Sequence, residues 1–321
     1  MILVTGGTGF IGTHLLEKLA AKGAAVRALV RRTRAPRSLP AGVESVYGDL
    51  ASGEGIREAL RGVDAVIHLA GVTKALKAED YYTGNVEATR QLALGLAGTG
   101  VRFVHVSSLA AIGPAQDGIA LTEDAAPHPL THYGKSKLEA ERVVRELAPG
   151  AVIVRPPVVY GPRDTDVFQL LKSISRGIVV EIAGGERWFS AIYVEDLVDG
   201  LLAAVASPCA GGRSYFLAHA QPASWGVLAA AAARIMGCKP KTVRLPVSVA
   251  NAVGACAELW ARVTGKPGII SREKVAEACC LAWTCDPGRA ARELEFVAAT
   301  GLETGLAATL AWYKEAGWLT Y

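Results

Sequence analysis

Within its first twelve residues, Met1-Ile2-Leu3-Val4-Thr5-Gly6-Gly7-Thr8-Gly9-Phe10-Ile11-Gly12, the chain passes from an apolar run through glycine into a helical pattern. Ile2, Leu3 and Val4 read as a strand buried on both faces of a parallel sheet. From Phe10 the apolar residues recur at helical spacing, at Ile11, Leu15, Leu16 and Leu19. Strand, glycine turn and helix N-terminus together make an anion site, because backbone N–H groups and the positive end of the helix dipole face one point. Gly7-x-Gly9-x-x-Gly12 fits the dinucleotide fingerprint, and Gly6-x-x-Gly9-x-x-Gly12 fits equally.

Strand and helix patterns then alternate. Strands are expected at 25–30, 44–47, 64–69, 102–107 and 151–154, and helices at 10–22, 53–60, 79–97 and 131–147. That order predicts an α/β fold, a doubly wound parallel Rossmann sheet. The pattern breaks at Arg155-Pro156-Pro157. A dinucleotide domain over 1–158, with 190–218 returning to it, is expected beside a smaller, mainly helical substrate region over 159–189 and 219–321.

With 51% hydrophobic and 20% charged residues the chain is globular, and its net charge of +4 is mild. The cluster Arg31-Arg32-Thr33-Arg34 with Arg37 is too small to argue for nucleic acid. A strand beginning at residue 2 leaves no room for a signal peptide, so a cytoplasmic protein is expected. The apolar stretch from Leu245 to Ala257 is too short to span a membrane and reads as a helix packed in the C-terminal region, with a place on a membrane surface as the alternative. Six cysteines, all beyond residue 208, show no ligand spacing and read as buried free thiols; no metal is expected.

The second strand ends Val30-Arg31-Arg32, without the acid that would bind the ribose 2′-hydroxyl of NAD. Arginine there suits a 2′-phosphate, so NADP(H) is favoured over NAD(H). Asp49, at the next strand end, either meets the adenine amine or caps the following helix. Tyr133 and Lys137 stand four apart on a periodic segment, so both leave one helix face. A neighbouring ammonium should lower the tyrosine pKa and make its hydroxyl a usable proton donor or acceptor. Ser107-Ser108 ends the fifth strand at the same rim and can hold a carbonyl oxygen.

These pieces together resemble the extended short-chain dehydrogenase/reductase family, of NAD-dependent epimerase/dehydratase type. The likeness runs through Gly48-Asp49-Leu50, His68-Leu69-Ala70-Gly71, Asn85-Val86-Glu87, Val106-Ser107-Ser108, Tyr133-x-x-x-Lys137, Arg155-Pro156-Pro157 and Tyr193-Val194-Glu195-Asp196. It implies Tyr133 as the catalytic acid/base, Lys137 as its partner, Ser108 rather than Ser107 as the carbonyl-holding hydroxyl, and Asn85 as a structural and relay residue. It implies a dinucleotide site lined by Gly6, Gly9, Phe10, Ile11, Gly12, Arg31, Arg32, Asp49, Leu50, Leu69, Ala70, Gly71, Tyr133, Lys137 and Pro156.

The chain departs from the sugar-nucleotide branch at Val158, where an Asn is common, and at Phe189, where an Arg holds a diphosphate. It is nearer the dihydroflavonol-reductase-like and 3β-hydroxysteroid-dehydrogenase-like branch, which acts on apolar ketones and alcohols; Arg163 and Arg187 remain as possible anion contacts. The expectation is therefore an NADP(H)-dependent oxidoreductase acting on an apolar small molecule. The rivals are a nucleotide-sugar epimerase or dehydratase with retained NAD, and a non-catalytic NADP(H)-binding protein. The resemblance also implies a homodimer through the helices after Asn85 and around Tyr133, whose Val86, Leu92, Ala93, Leu94, Leu96, Leu138, Ala140, Val143, Val144 and Leu147 offer surplus apolar surface.

Overall fold

The computed structural model describes residues 1–32, 39–116, 118–265, 268 and 271–321; Arg34 and Arg37 of the basic cluster lie outside them. Seven parallel strands form the central sheet: β1 (Ile2–Thr5), β2 (Val26–Val30), β3 (Glu44–Tyr47), β4 (Ala65–His68), β5 (Arg102–Val106), β6 (Val152–Val154) and β7 (Ser214–Tyr215). Their spatial order is β7-β6-β5-β4-β1-β2-β3. The order reverses between β1 and β4, the switch point at which open parallel sheets bind ligand. The Rossmann expectation holds.

Successive strand residues serve opposite cores, as a period of two requires. Val4, Val104 and Val152 pack with Leu15, Leu16, Leu197 and Leu201 from helices Phe10–Ala21 and Val194–Ala206. Leu3, Phe103 and Ile153 pack with Leu92, Leu96 and Val144 from helices Ala88–Leu96 and His132–Leu147. A third core, around Leu171, Leu228, Leu306 and Leu310, joins three helices of the C-terminal half.

Four sequence expectations need correction. The helix expected over 79–97 is interrupted by a π-turn, Thr83–Glu87, that carries Asn85. The surplus apolar surface expected on two helices is largely absent: Leu92, Ala93, Leu96, Ala140, Val143 and Val144 are buried in the chain's own core, Val86, Leu138 and Leu147 are half-buried, and of the residues named only Leu94 is exposed. Of the six free thiols only Cys285 is buried. Helix Val247–Thr264 buries only Ala250, Gly254 and Ala261, so it is not packed as its apolar sequence suggested.

One buried ionic network ties the Tyr133 helix to the sheet. Arg155, beyond β6, reaches both carboxylate oxygens of Glu141 (2.9 and 2.7 Å), and Ser107, beyond β5, donates to the same carboxylate at 2.6 Å. Burial opposes the charge on Glu141, but Arg155, Ser107 and Arg145 together hold its carboxyl below the usual value of 4.5. Removing one partner strands a buried charge, so Glu141→Gln should cost about 3–5 kcal/mol in urea unfolding. Because the folded value is depressed, the contribution is present above pH 4.5 and fades as pH falls below it. The wild type should lose stability through that window, and the variant should lose less.

Candidate active site

The turn after β1 is built on contacts that admit no side chain. Gly6 has φ +73°, and a Cβ there would lie 2.6 Å from the Ala70 nitrogen, in the segment that follows β4. A Cβ on Gly12 would lie 2.2 Å from the Gly6 carbonyl oxygen, whereas one on Gly7 would crowd side chains and no backbone, Leu16 Cδ1 at 2.7 Å and Ala28 Cβ at 3.6 Å. The structure thus selects Gly6-x-x-Gly9-x-x-Gly12 from the two equal alignments. Gly9 is exposed, and beyond the Gly6 oxygen a Cβ there meets open space. Gly9 is also the N-cap of helix Phe10–Ala21, which no side chain caps. An exposed glycine backbone at the positive end of a helix, on the switch point, fits a dinucleotide pyrophosphate.

Leu69, Ala70 and Gly71 close the other side of this cleft. Asn85 fixes them: its Oδ1 accepts the Val72 N–H (2.7 Å), and its Nδ2 donates to the Val72 carbonyl (3.0 Å) and to Ser136 Oγ (2.9 Å) on the Tyr133 helix. A buried polar chain runs behind them. Thr89 Oγ1 donates to the Asn85 carbonyl, so it accepts from His68 Nε2 at 3.0 Å. His68 Nδ1 then accepts from Thr5 Oγ1 at 2.6 Å. Burial, aided by the Lys137 charge, pushes the His68 pKa down to about 3, which keeps the imidazole neutral and its tautomer fixed.

Ser108 and Tyr133 are brought together by another glycine. A Cβ on Gly134 would sit 2.3 Å from the Ala110 carbonyl oxygen, so glycine lets the Tyr133 helix lie against the 109–111 turn. That turn is pinned by Leu109 N–H donating to the Pro156 carbonyl at 2.9 Å. Ser108 Oγ accepts the Ala110 N–H (3.2 Å), which leaves its hydrogen to donate; Ser107 is committed to Glu141. Lys137 is buried and donates to the Val106 carbonyl at 2.7 Å. Desolvation pushes its pKa down to about 8 against the pull of Glu141.

The expected lowering of the tyrosine pKa is not found. Burial raises Tyr133 above its ordinary value, and the opposing influences are the Ser108 hydroxyl and Lys274. Lys274 and Tyr81, whose ring centroid lies 6.4 Å from that of Tyr133, were not identified from sequence. Lys274 lies 141 positions from the tyrosine and carries no local pattern. Asp49 neither caps a helix nor stands apart from its own loop: its Oδ1 accepts the Ala51 N–H at 2.8 Å. Phe10, Ile11 and Leu50 are half-buried around the cleft, and Arg31 and Arg32 are exposed beyond β2, Arg32 over the Tyr47 ring at 5.3 Å.

On the substrate side, both arginines kept as anion contacts are engaged by the chain itself. Arg163 makes a bidentate pair with Glu17 (2.9 Å twice). Arg187 donates to the carbonyls of Ile182, Ala183 and Gly185. Phe189 is buried and stacked on Trp225, ring centroids 4.2 Å apart.

A family model described as the NAD dependent epimerase/dehydratase family matches residues 2–218. The chain is 33% identical over 320 residues to a ceramide reductase of Caulobacter vibrioides, covering 99% of this chain and 96% of that one. It is 28% identical over 320 residues to the N-acetyl-alpha-D-glucosaminyl-diphospho-ditrans,octacis-undecaprenol 4-epimerase of Escherichia coli O157:H7, covering 96% and 94%. It also resembles the solved structure of MoeE5 in complex with UDP-glucuronic acid and NAD, with a TM-score of 0.78, 26% identity, and 98% and 99% coverage.

Proposed function

The chain belongs to the NAD dependent epimerase/dehydratase family, and within it we propose an NADP(H)-dependent reductase that interconverts a carbonyl and an alcohol on a lipophilic small molecule. The observation that carries this reading is the engagement of Arg163 and Arg187 by Glu17 and by backbone carbonyls. A nucleotide diphosphate would meet two cations already engaged by the chain, and desolvating it without charged partners is unfavourable. The likeness to a ceramide reductase supports the same substrate class. A nucleotide-sugar epimerase with retained NAD is the second reading, favoured by the likeness to the undecaprenol-linked 4-epimerase and to a structure holding UDP-glucuronic acid and NAD.

Gly6, Gly9, Gly12 and Leu69–Gly71 would hold the dinucleotide, which when bound supplies or takes the hydride. Ser108 and Tyr133 donate hydrogen bonds to the substrate oxygen and polarise the carbonyl. Tyr133, with its pKa raised, is fully protonated at neutral pH and holds the proton that the new alkoxide oxygen receives. Lys137, one helical turn on and titrating at about 8, is suited to restore that proton. In the oxidising direction Tyr133 must lose its proton, so that rate should rise with pH while the reducing rate stays flat across neutrality.

Tyr133→Phe should lower turnover of a long-chain ketone roughly 10²–10⁴-fold while leaving cofactor affinity nearly intact, as read by fluorescence titration. Activity near the wild-type level would place the acid/base elsewhere. Arg31, with Arg32 beside it, is assigned to the 2′-phosphate. NADPH should therefore bind about one to two decades more tightly than NADH, and Arg31→Ala should erase that preference. Equal affinities in the wild type would remove the assignment.

A further inference from the structure

Helix Val247–Thr264 presents the wrong face to water. Its buried residues, Ala250, Gly254 and Ala261, fall within about 40° of one another on the helical wheel. The opposite face carries Val249, Val253, Cys256, Leu259, Trp260 and Val263 and no charge; Leu259, Trp260 and Val263 are 65%, 70% and 74% exposed. Glu258 and Arg262 lie along one flank. A surface helix ordinarily turns polar residues outward, so this stripe requires an apolar neighbour. The strand Lys241–Leu245, which leads into the helix, adds Val243; it lies opposite Val180 in register, and both are exposed.

The charge of the segment that carries the stripe says which neighbour. Residues 237–272 hold six cations, Lys239, Lys241, Arg244, Arg262, Lys266 and Arg272, and one anion, Glu258. The rest of the chain then holds 28 cations and 29 anions, so the positive excess is concentrated here. Arg262 and Arg272 approach Glu258 (2.6 and 3.8 Å) and Arg244 approaches Glu181 (3.4 Å), yet all three arginines remain at least two-thirds exposed. Lys239 and Lys241 are exposed; Lys266 is outside the described residues. A second copy of the chain meeting this surface symmetrically would set cation against cation. An anionic lipid surface offers headgroups to the lysines and arginines and acyl chains to Leu259, Trp260 and Val263.

Beneath the helix, a narrow cleft of about 50 Å³ is lined by Ala261, Leu76, Lys274 and Tyr81. Tyr81 is the ring neighbour of Tyr133, so one aromatic ring separates this cleft from Tyr133. We propose that the outward face of Val247–Thr264 docks on an anionic bilayer surface. The docking stands on surface composition; only its purpose, taking a lipid substrate from the membrane, rests on the reductase reading.

The test is co-sedimentation of the full chain with phosphatidylcholine vesicles and with vesicles containing about a third phosphatidylglycerol. The anionic vesicles should carry the protein down, and added salt should loosen it. Lys239→Gln with Lys241→Gln should weaken partitioning about 25-fold. Leu259→Ser, Trp260→Ser and Val263→Ser together should abolish it, with the far-UV circular dichroism of the folded chain unchanged. The assay contains neither substrate nor cofactor, so failure of the reductase reading would leave its result intact. No sedimentation of the wild type with anionic vesicles would overturn the proposal, as would equal partitioning of the triple serine variant. A wild-type dimer that the triple variant dissolves would overturn it too, by giving the face to a second copy.

Discussion

The packing of two backbones at the switch point governs the rest of the site. The turn after β1 and the segment after β4 approach so closely that no Cβ fits at Gly6, and the helix that follows is drawn so close that none fits at Gly12. This contact leaves the N-terminus of helix Phe10–Ala21 facing the cleft. Behind it, the chain of hydroxyls and imidazole from Thr5 through His68 and Thr89 reaches Asn85. Asn85 in turn links the β4 segment to the Tyr133 helix through Ser136. The Gly6–Gly12 turn and the Tyr133 helix are thereby held in one frame by buried polar groups that are hydrogen-bonded within the chain.

A second frame supports the chemistry from the far side of the Tyr133 helix. Glu141 and Arg155 are both buried, and such a pair contributes little net stability relative to an apolar pair of similar volume. It does fix geometry, since the carboxylate can satisfy Arg155, Ser107 and Arg145 at once only in one placement of the helix. That commitment of Ser107 also explains why, of two adjacent serines, Ser108 is the one beside Tyr133. The two arginines considered as anion contacts are engaged by the protein, Arg163 by Glu17 and Arg187 by backbone carbonyls. That engagement supports the lipophilic substrate we propose.

Much of the fold could be read from sequence because its determinants are local. Alternating apolar runs and helical stripes locate six of the seven strands of the central sheet and the main helices to within a few residues, and the Tyr133–Lys137 spacing requires only helical geometry. What failed depended on distant partners. The choice between two glycine alignments turns on Ala70, far along the chain. The tyrosine pKa is raised by burial and tempered by Lys274, which a four-residue spacing argument cannot include. The apolar stretch from Leu245 to Ala257 predicts a packed helix; hydropathy does not say which face looks inward, and in helix Val247–Thr264 the small residues do.

The proposed reductase reduces a carbonyl of a lipophilic molecule with net consumption of the cofactor, and does not return the hydride to a sugar within one turnover. The direct measurement follows absorbance of the reduced nicotinamide with long-chain ketones in one arm and UDP-sugars in the other, with product analysis of both. Stoichiometric loss of NADPH with formation of the alcohol, and no change in the UDP-sugars, is the predicted result. Epimerised sugar formed on a tightly retained NAD, with no net change in absorbance and no reduction of any ketone, would contradict it.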